Sequence, residues 1–264
     1  MKMDTTVKYF NTSIDDATCN IAFRFRHVSK DLIVFLHGLG CSMKSFDMAF
    51  DAKMLDGFSI LSLDFLGFGK SSRADHLSYS LESHAEGIEH LLAIYPDYRR
   101  HIVAHSMGGA IGLLLSENVL KSITTFINIE GNLIRDDCGL ISRESSRVSF
   151  ETFATNLYKK TRNPIWNTDY RLFSLESASP LAFYKSAKSL VSWSDSGKLL
   201  KKFQNLKCRK AYVYGAKNSN ARVLKKLDGI QTLGISGSGH FAMNDNAPEF
   251  YEKIAQLIMK QEKG

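Results

Sequence analysis

The sequence predicts an α/β fold in which a mainly parallel central sheet carries helices on both faces. Short apolar, strand-like runs alternate with segments of helical periodicity along most of the chain. The alternation stops after residue 130 and resumes near residue 211. The 264 residues suit one α/β domain with an insertion. We therefore expect a core of residues 1–130 and 201–264, interrupted by a helical insertion at 131–200.

The first strands differ in character from those that follow. Residues 21–26 alternate with a period of two, which predicts antiparallel strands at the start of the sheet. Residues 32–36 are a continuous apolar run, as expected for a central strand buried on both faces, and residues 58–63 are another strand candidate. Apolar residues then recur at three- to four-residue spacing from Leu81 to Tyr95, which predicts a helix ending before Pro96.

The second half of the core repeats this rhythm. The predicted strands are 101–105, 123–129, 211–214 and 231–235, and the predicted helices are 107–115, 224–227 and a last helix with Pro248 in its first turn. Residues 131–200 show no clear strand and are rich in Ser, Lys and aromatic residues. We expect most of these aromatic side chains to form the insertion's own core and some to line an apolar pocket. They are Phe150, Phe153, Tyr158, Trp166, Tyr170, Phe173, Phe183, Tyr184 and Trp193.

Cysteine usage and hydropathy predict a compartment. The four cysteines are scattered and form no C-x-x-C pair, which disfavours disulfides and zinc and suits reduced thiols. The N-terminal residues are polar and contain no apolar signal segment, and no apolar run is as long as a membrane span. We therefore expect a soluble cytoplasmic protein without stable membrane insertion.

The charge balance raises the question of a nucleic-acid partner. The chain has 34 Lys and Arg against 27 Asp and Glu, a net charge of +7. The basic residues are distributed along the chain, and the densest stretch, Lys198 to Lys210, has the apolar interleaving of a solvated helix face. No nucleic-acid motif accompanies it. We expect a small-molecule partner and no nucleic acid, and the sequence sets no oligomeric state.

A serine lies where an apolar strand meets an apolar helix, in the run Ala104-His105-Ser106-Met107-Gly108-Gly109. Such a strand-to-helix turn requires small residues two positions on either side of the serine, and Ala104 and Gly108 meet that need. The free amides and the dipole of the following helix favour negative charge at this point. The alternative is a serine that only caps the helix. We predict that Ser106 is a nucleophile.

Two glycine-containing loops could complete a site around Ser106. His37-Gly38-Leu39-Gly40 follows a strand and can direct backbone amides at an oxyanion, although an ordinary strand-to-helix turn would look the same. His240 lies in Gly237-Ser238-Gly239-His240-Phe241, where flanking glycines let the loop project the imidazole as a general base. We expect the remaining histidines to pack beside strands (His27, His37, His105) or to lie on the surface (His76, His84, His90, His101).

These elements together resemble the α/β-hydrolase family, in its serine-nucleophile branch with an inserted helical cap. The run from Asp64 to Ser71 is similar to that family's D-x-x-G-x-G-x-S turn. The resemblance implies the chain order nucleophile, acid, histidine. It also implies a cap at 131–200, oxyanion amides from Leu39 and Met107, and no metal or organic cofactor.

The acid of the expected triad departs from the family pattern. Its usual place, a turn after the strand beyond the cap, reads Gly215-Ala216-Lys217-Asn218, and an amide cannot carry negative charge. The family's second place follows the strand after the nucleophile helix, and here it holds Glu130. We predict that Glu130 is the acid, against the alternative of an ion-paired glutamate at the cap hinge. We expect Glu130→Gln to reduce turnover far more than Asn218→Ala. The lower-ranked carboxylates are Asp136, Asp137, Asp228 and Asp245.

Three classes of function remain open. The first is hydrolysis of a carboxylic ester or a related, apolar acyl compound through an acyl-enzyme on Ser106. The second is a ligand-binding receptor on the same scaffold with slow turnover, which the amide at Asn218 favours. The third is a hydroxynitrile lyase or acyltransferase using the same residues. A serine at the turn argues against relatives with an aspartate nucleophile, the haloalkane dehalogenases and epoxide hydrolases.

Overall fold

A single eight-stranded sheet organises the chain, with strand order β1-β2-β4-β3-β5-β6-β7-β8. The computed structural model describes residues 6–158 and 178–259. The predicted α/β fold class, a mainly parallel sheet with helices on both faces, is confirmed. The strands are β1 (Lys8–Ile14), β2 (Ala17–Arg26), β3 (Asp31–Leu36), β4 (Ser59–Leu63), β5 (Arg99–His105), β6 (Ile123–Ile129), β7 (Arg209–Gly215) and β8 (Gln231–Ile235).

The sheet is antiparallel at one edge and parallel elsewhere. β2 pairs with β1 and β4 in antiparallel registers, and every pair from β4–β3 to β7–β8 is parallel. Residues 32–36 of β3 and all of β4 are buried, because helices cover both faces of the parallel part. Continuous burial explains the unbroken apolar run of β3, and in β4 it extends to Ser59 and Ser62.

Helices pack on the two faces of the sheet and enclose two apolar cores. They are α1 (Leu81–Ala93), α2 (Met107–Gly112), α3 (Glu117–Lys121), α4 (Leu140–Arg147), α5 (Phe150–Thr152), α6 (Pro180–Asp195), α7 (Lys198–Asn205), α8 (Ala242–Asp245) and α9 (Ala247–Met259). Helices α1, α2, α6 and α7 contribute to the first core, and α8 and α9 to the second. Several 3-10 turns and one π turn, Phe153–Leu157, complete the described elements.

Local signals explain where α1 and α2 begin and end. The Ser80 hydroxyl accepts a hydrogen bond from the Ser83 amide and caps α1. Helix α2 is shorter than predicted: it stops at Gly112, and the Leu114 amide turns back to the Ile111 carbonyl. Apolar composition continues beyond the helix because Leu113 still packs in the core. Apolar character therefore overestimated the length of this helix.

The described residues between β6 and β7, 130–158 and 178–208, form mainly helices. Phe153 stacks on Phe183 of α6 with ring centroids 5.6 Å apart, and the Tyr158 hydroxyl donates to the Ala178 carbonyl. Helix α7 also packs against the sheet, through Phe203 on Phe126 of β6. Trp166, Tyr170 and Phe173 lie outside the described residues. The boundaries of a cap at 131–200 stay a prediction.

Two histidines depart from their expected places. His84 faces inward from α1 and hydrogen-bonds through Nε2 to the Ser186 hydroxyl at 2.9 Å. His101 is buried in the central strand β5, 3.2 Å from Asp31. The expectation that both lie on the surface is wrong, because each occupies the inner face of its element. His37 and His105 are buried as expected, whereas His27 is exposed.

The four cysteines lie in the described part of the chain. Cys19, Cys41 and Cys138 are buried free thiols, and Cys208 is a half-buried free thiol. Among residues 6–158 and 178–259, no helix combines the length and the apolar character that a membrane crossing requires.

Candidate active site

The candidate residues follow four neighbouring parallel strands and therefore lie at one edge of the sheet. Ser106 follows β5, Glu130 follows β6, and Asn218 and His240 lie in the loops after β7 and β8. These strands are adjacent, so their carboxyl ends form a single row. In open α/β sheets this edge is where ligands bind.

Ser106 occupies a strained turn between β5 and α2. Its backbone has φ 52° and ψ −121°, a conformation that costs a non-glycine residue about 1–3 kcal/mol. Hydrogen bonds hold the turn in place: the Ser106 amide donates to the Ile129 carbonyl at 3.0 Å, and the Ser106 carbonyl accepts from the Gly109 amide at 2.9 Å. The turn is therefore tied to β6 as well as to its own helix.

Two glycines bring other chain segments close to this turn. A Cβ on Gly108 would lie 2.6 Å from the carbonyl oxygens of Leu36 and His37, and these are backbone atoms that have little room to move. A Cβ on Gly38 would lie 3.1 Å from the Ser106 Cβ. The end of β3 and the start of α2 therefore meet at contact distance, which explains the glycine two residues after the serine.

The predicted oxyanion donors lie on either side of Ser106. Met107 begins α2, and Leu39 follows Gly38 in a turn closed by the Cys41 amide on the Gly38 carbonyl. Neither the Leu39 nor the Met107 amide nitrogen takes part in the hydrogen bonds found among the described residues. The first amides of a helix are free to bind an anion. Their role as oxyanion donors stays a prediction.

The Glu130 carboxylate accepts hydrogen bonds from three residues. Oε2 accepts from His240 Nδ1 at 2.8 Å, and Oε1 accepts from the Gly215 amide at 2.8 Å. The Asn218 Nδ2 lies 2.8 and 2.9 Å from the two carboxylate oxygens. Glu130 also has a positive φ of 44°. The amide at the family's usual acid position thus holds an acid that comes from the neighbouring strand.

Opposing effects set the pKa of Glu130. Burial raises the pKa of the carboxyl, but the hydrogen bond and charge of His240, with the donors Asn218 and Gly215, outweigh it. The pKa of Glu130 is therefore below its ordinary value. An ionised carboxylate on Nδ1 fixes the imidazole tautomer and stabilises an imidazolium. The His240 side chain is 43% exposed, compared with 9% for Glu130.

His105 positions the His240 loop next to the nucleophile. Its Nε2 donates to the His240 carbonyl at 2.9 Å, and the two rings are 4.6 Å apart. Burial, with the charge of His240, lowers the pKa of His105 well below its ordinary value, so this imidazole stays neutral. Because the acceptor is a carbonyl, the proton must reside on Nε2. Sequence reasoning assigned His105 to packing and missed this contact.

Glu130, His240 and Asn218 are joined directly, whereas Ser106 is joined to them through its neighbour His105. The hydrogen bonds of the described residues do not include one between the Ser106 hydroxyl and His240. In sites without substrate, catalytic hydrogen bonds are often long and tighten only when substrate binds. Ser106 and His240 follow β5 and β8 and lie at the same edge of the sheet.

The other candidate carboxylates have different partners. Asp136 pairs with Arg222 at 3.5 Å, and Asp137 accepts from the Leu133 and Ile134 amides. Asp245 accepts from the Gly239 amide at 2.8 Å and so supports the His240 loop from outside. Asp228 is exposed. Among the carboxylates in the described part of the chain, Glu130 is the one paired with His240.

Within the ranges that the structure describes, no three His, Cys, Asp or Glu side chains cluster in a way that could hold a metal ion. Cys41, near the predicted oxyanion turn, is buried, and burial raises the pKa of its thiol to about 12. A thiol with so high a pKa is a poor nucleophile at neutral pH.

Comparison with known proteins agrees with this architecture. The family profile of the alpha/beta hydrolase fold matches residues 31–138, which run from β3 through the Ser106 turn to Cys138. The chain has the α/β-hydrolase fold. The matched residues include Ser106, Glu130 and both predicted oxyanion amides. Asn218 and His240 lie outside the match.

Curated relatives of this hydrolase-fold chain match it over a limited length. A probable lysophospholipase of Arabidopsis thaliana, BODYGUARD 4, is 35% identical over 97 residues, which is 35% of this chain and 23% of the relative. An uncharacterized protein of Mycobacterium tuberculosis is 28% identical over 116 residues, 43% of this chain and 33% of that protein. The chain thus spans about a quarter to a third of the curated relatives that it matches.

Solved structures share the whole fold at low identity. The bromoperoxidase of Bacillus anthracis superposes with a TM-score of 0.75 at 17% identity, covering 96% of this chain and 100% of that one. The chain and the bromoperoxidase share a fold, and a shared fold does not imply a shared reaction.

Proposed function

We propose that the chain is a serine hydrolase that cleaves a carboxylic ester or a related acyl compound through an acyl-enzyme on Ser106. The observation that carries the proposal is the 2.8 Å pair between Glu130 and His240, placed against the residue that precedes Ser106. A serine needs such an oriented base to become a nucleophile at neutral pH. Its strained backbone presents the hydroxyl at the ligand-binding edge.

The proposed reaction has two halves. The His240 Nε2 accepts the Ser106 proton while Oγ attacks the substrate carbonyl, and Glu130 stabilises the imidazolium through Nδ1. The Leu39 and Met107 amides donate to the oxyanion. The imidazolium then protonates the leaving alcohol, which departs as the acyl-enzyme forms. His240 then deprotonates a water molecule, whose oxygen attacks the acyl carbon. The bond from that carbon to Ser106 Oγ breaks, and the imidazolium returns the proton to Oγ.

The relatives support a small molecule with an acyl group as the substrate. BODYGUARD 4 is named a probable lysophospholipase, and an esterase is among the proteins of the same fold. Phe150 and Tyr184, between β6 and β7, lie with ring centroids 5.5 Å apart, and Phe150 is partly exposed. We propose that aromatic side chains of this region select an apolar acyl group, and that the reaction needs no cofactor.

The receptor alternative loses its main support. It depended on the amide at Asn218, but Glu130 supplies a carboxylate to His240 and Asn218 binds that carboxylate. The lyase and acyltransferase alternatives would use the same residues, so substrates must separate them from a hydrolase. Mandelonitrile and an added alcohol acceptor are suitable probes beside simple esters.

The decisive test is turnover of p-nitrophenyl esters of graded chain length by wild type and Ser106→Ala. We expect the variant to lose at least about 10⁴-fold in kcat, because no other group attacks the carbonyl. Ser219→Ala, at an exposed serine, serves as the matched control and should retain wild-type activity. Equal activity of Ser106→Ala and wild type, or tight ligand binding without turnover in wild type, would contradict the proposal.

A further inference from the structure

The positive charge of the chain is concentrated in one segment. Residues 198–230 contain ten Lys and Arg and a single acidic residue, Asp228. The rest of the chain therefore holds 24 basic and 26 acidic residues, so the segment carries more than the whole net charge of +7. The concentration of basic residues extends beyond the densest stretch, Lys198 to Lys210, and continues to Lys226.

The fold displays this charge on one face. Helix α7 and the 3-10 helix Arg222–Lys226 bury Leu199, Phe203 and Val223 in the same apolar core. The Gln204 Nε2 donates to the Lys226 carbonyl at 3.1 Å, so the two helices are neighbours. We define the basic face as the six exposed lysines on these two helices and next to the two ends of β7. They are Lys198, Lys201, Lys207, Lys217, Lys225 and Lys226.

The six lysines of the basic face have few acidic neighbours along the chain, since Asp228 is the single acidic residue of 198–230. None of these lysines forms an ion pair within the described residues, and Arg222 reaches Asp136 only at the rim, at 3.5 Å. Lysines of one sign gathered on a surface repel one another and reduce the stability of the compact state. An anionic partner would relieve that repulsion.

We propose that the basic face binds an anionic lipid surface. Lysine is a compact point charge suited to a diffuse negative surface, whereas base or phosphate readout favours the planar fork of arginine. Arg209, one of the segment's two arginines, is turned inward onto the carbonyls of Leu257 and Ile258.

The geometry also disfavours single-stranded nucleic acid and membrane insertion. Neither α7 nor the helix Arg222–Lys226 exposes an aromatic ring on which a base could stack. The apolar side of α7 is already buried through Leu199 and Phe203, so binding would be electrostatic adsorption. The choice of lipid over nucleic acid also rests on the proposed function, since an apolar acyl substrate partitions into lipid.

The basic face reaches the edge of the candidate active site. Lys217 precedes Asn218, whose side chain binds Glu130, and the Lys217 amide donates to the Ser238 carbonyl in the His240 loop. Lys207 precedes β7 and Lys217 follows it, and the seven residues of this strand span about 23 Å. A lipid surface bound here would lie beside the site where the substrate must enter.

Vesicle flotation tests the inference with the Ser106→Ala protein, so that the outcome does not depend on hydrolysis. The vesicles are phosphatidylcholine with or without 30 mol% phosphatidylglycerol, at 50–500 mM NaCl. We expect binding to the anionic vesicles alone, weakening steeply with salt. The triple variant Lys201→Gln, Lys225→Gln, Lys226→Gln should lower the partition coefficient about 10- to 100-fold.

A charge-matched control separates the face from net charge. Lys8→Gln, Lys53→Gln, Lys121→Gln removes three exposed lysines elsewhere and should leave binding within about twofold. Equal losses in the two triple variants, no binding to anionic vesicles, or a preference for a DNA duplex over vesicles at 150 mM NaCl would overturn the inference. Both triple variants in the Ser106 background should hydrolyse p-nitrophenyl acetate like wild type, which reports their folding.

Discussion

The Ser106 turn and the acid site behind His240 meet different physical demands. The turn depends on contact distances between backbone atoms, since Gly108 lies against the carbonyls that end β3. The acid site depends on hydrogen bonds between side chains, with Glu130 held by His240 and Asn218. The first region tolerates almost no change of residue type, whereas the second requires only that a carboxylate reach Nδ1.

This difference explains why one region reads clearly in the sequence and the other does not. A steric demand fixes residues at set spacing around the serine, and the result is a motif. An electrostatic demand can be met from any neighbouring strand end, because β6 and β7 lie side by side. The carboxylate here comes from β6, and the loop after β7 contributes an amide that donates to it.

Among the substitutions that test this comparison, Glu130→Gln has the largest expected effect. We expect kcat for p-nitrophenyl butyrate to fall about 10³- to 10⁴-fold, because the imidazolium loses its counter-charge and the tautomer is no longer fixed. Asp136→Asn, which neutralises a nearby exposed carboxylate, should remain active.

A second-site change then tests whether the acid can move between strands. Adding Asn218→Asp to Glu130→Gln places a carboxylate at the family's usual position. We expect the double variant to recover at least about tenfold in kcat over Glu130→Gln. No recovery, in a protein whose Tm equals that of the single variant, would show that the acid is confined to β6.

Gly108→Ala tests the steric half of the comparison. The added methyl group meets two backbone carbonyls at 2.6 Å, so we expect a loss of about 3 kcal/mol in unfolding free energy and a Tm lower by about 6–12 °C. Gly57→Ala is the control, because a Cβ there has no neighbour within 4 Å. A Tm for Gly108→Ala equal to that of the control would contradict the steric account.

Asn218→Ala should have a moderate effect on turnover. The variant removes a donor shared by both Glu130 oxygens, and a hydrogen bond to a charged group is worth about 1.5–3 kcal/mol. We expect kcat to fall about tenfold, which exceeds the small effect expected from sequence but is far below that of Glu130→Gln. The exposed Asn220→Ala is the matched control, and an unchanged kcat in Asn218→Ala would show that the amide is dispensable.

The smallest effect concerns stability at acid pH. Because the pKa of Glu130 is lowered in the folded state, its contribution to stability is present above the ordinary pKa of 4.5 and is lost as pH falls through the folded-state value. The Tm difference between wild type and Glu130→Gln should therefore be constant from pH 7 to about pH 5 and narrow below pH 4.5. A difference at pH 3 as large as the difference at pH 7 would contradict the lowered pKa.

Much of the fold could be predicted from the sequence because buried strands and helices are rich in apolar residues. The central strand β3 is a continuous apolar run, and the glycine pattern around Ser106 indicated the turn. Individual histidines were harder to place. His84 and His101 are polar residues on inward faces, and periodicity gives no signal for a buried imidazole with a partner far away in the chain.

The network around the acid was only partly predictable. Glu130 could be found because a charged residue ending an apolar strand needs a partner. The donor role of Asn218 could not, since the sequence shows that an amide replaces an acid but not where the amide points. His105 was hidden for a similar reason: its contact joins residues 135 positions apart.

The row of strand ends also sets an order in time. Ser106 and Glu130 lie in the part of the chain that is synthesised first, and His240 follows Glu130 by 110 residues. Chains emerge from the ribosome N-terminal part first. A nascent chain can thus form the strained serine turn well before it contains the imidazole. Under the proposed function, the Ser106 hydroxyl would become reactive only when β8 joins the sheet and His240 reaches its edge.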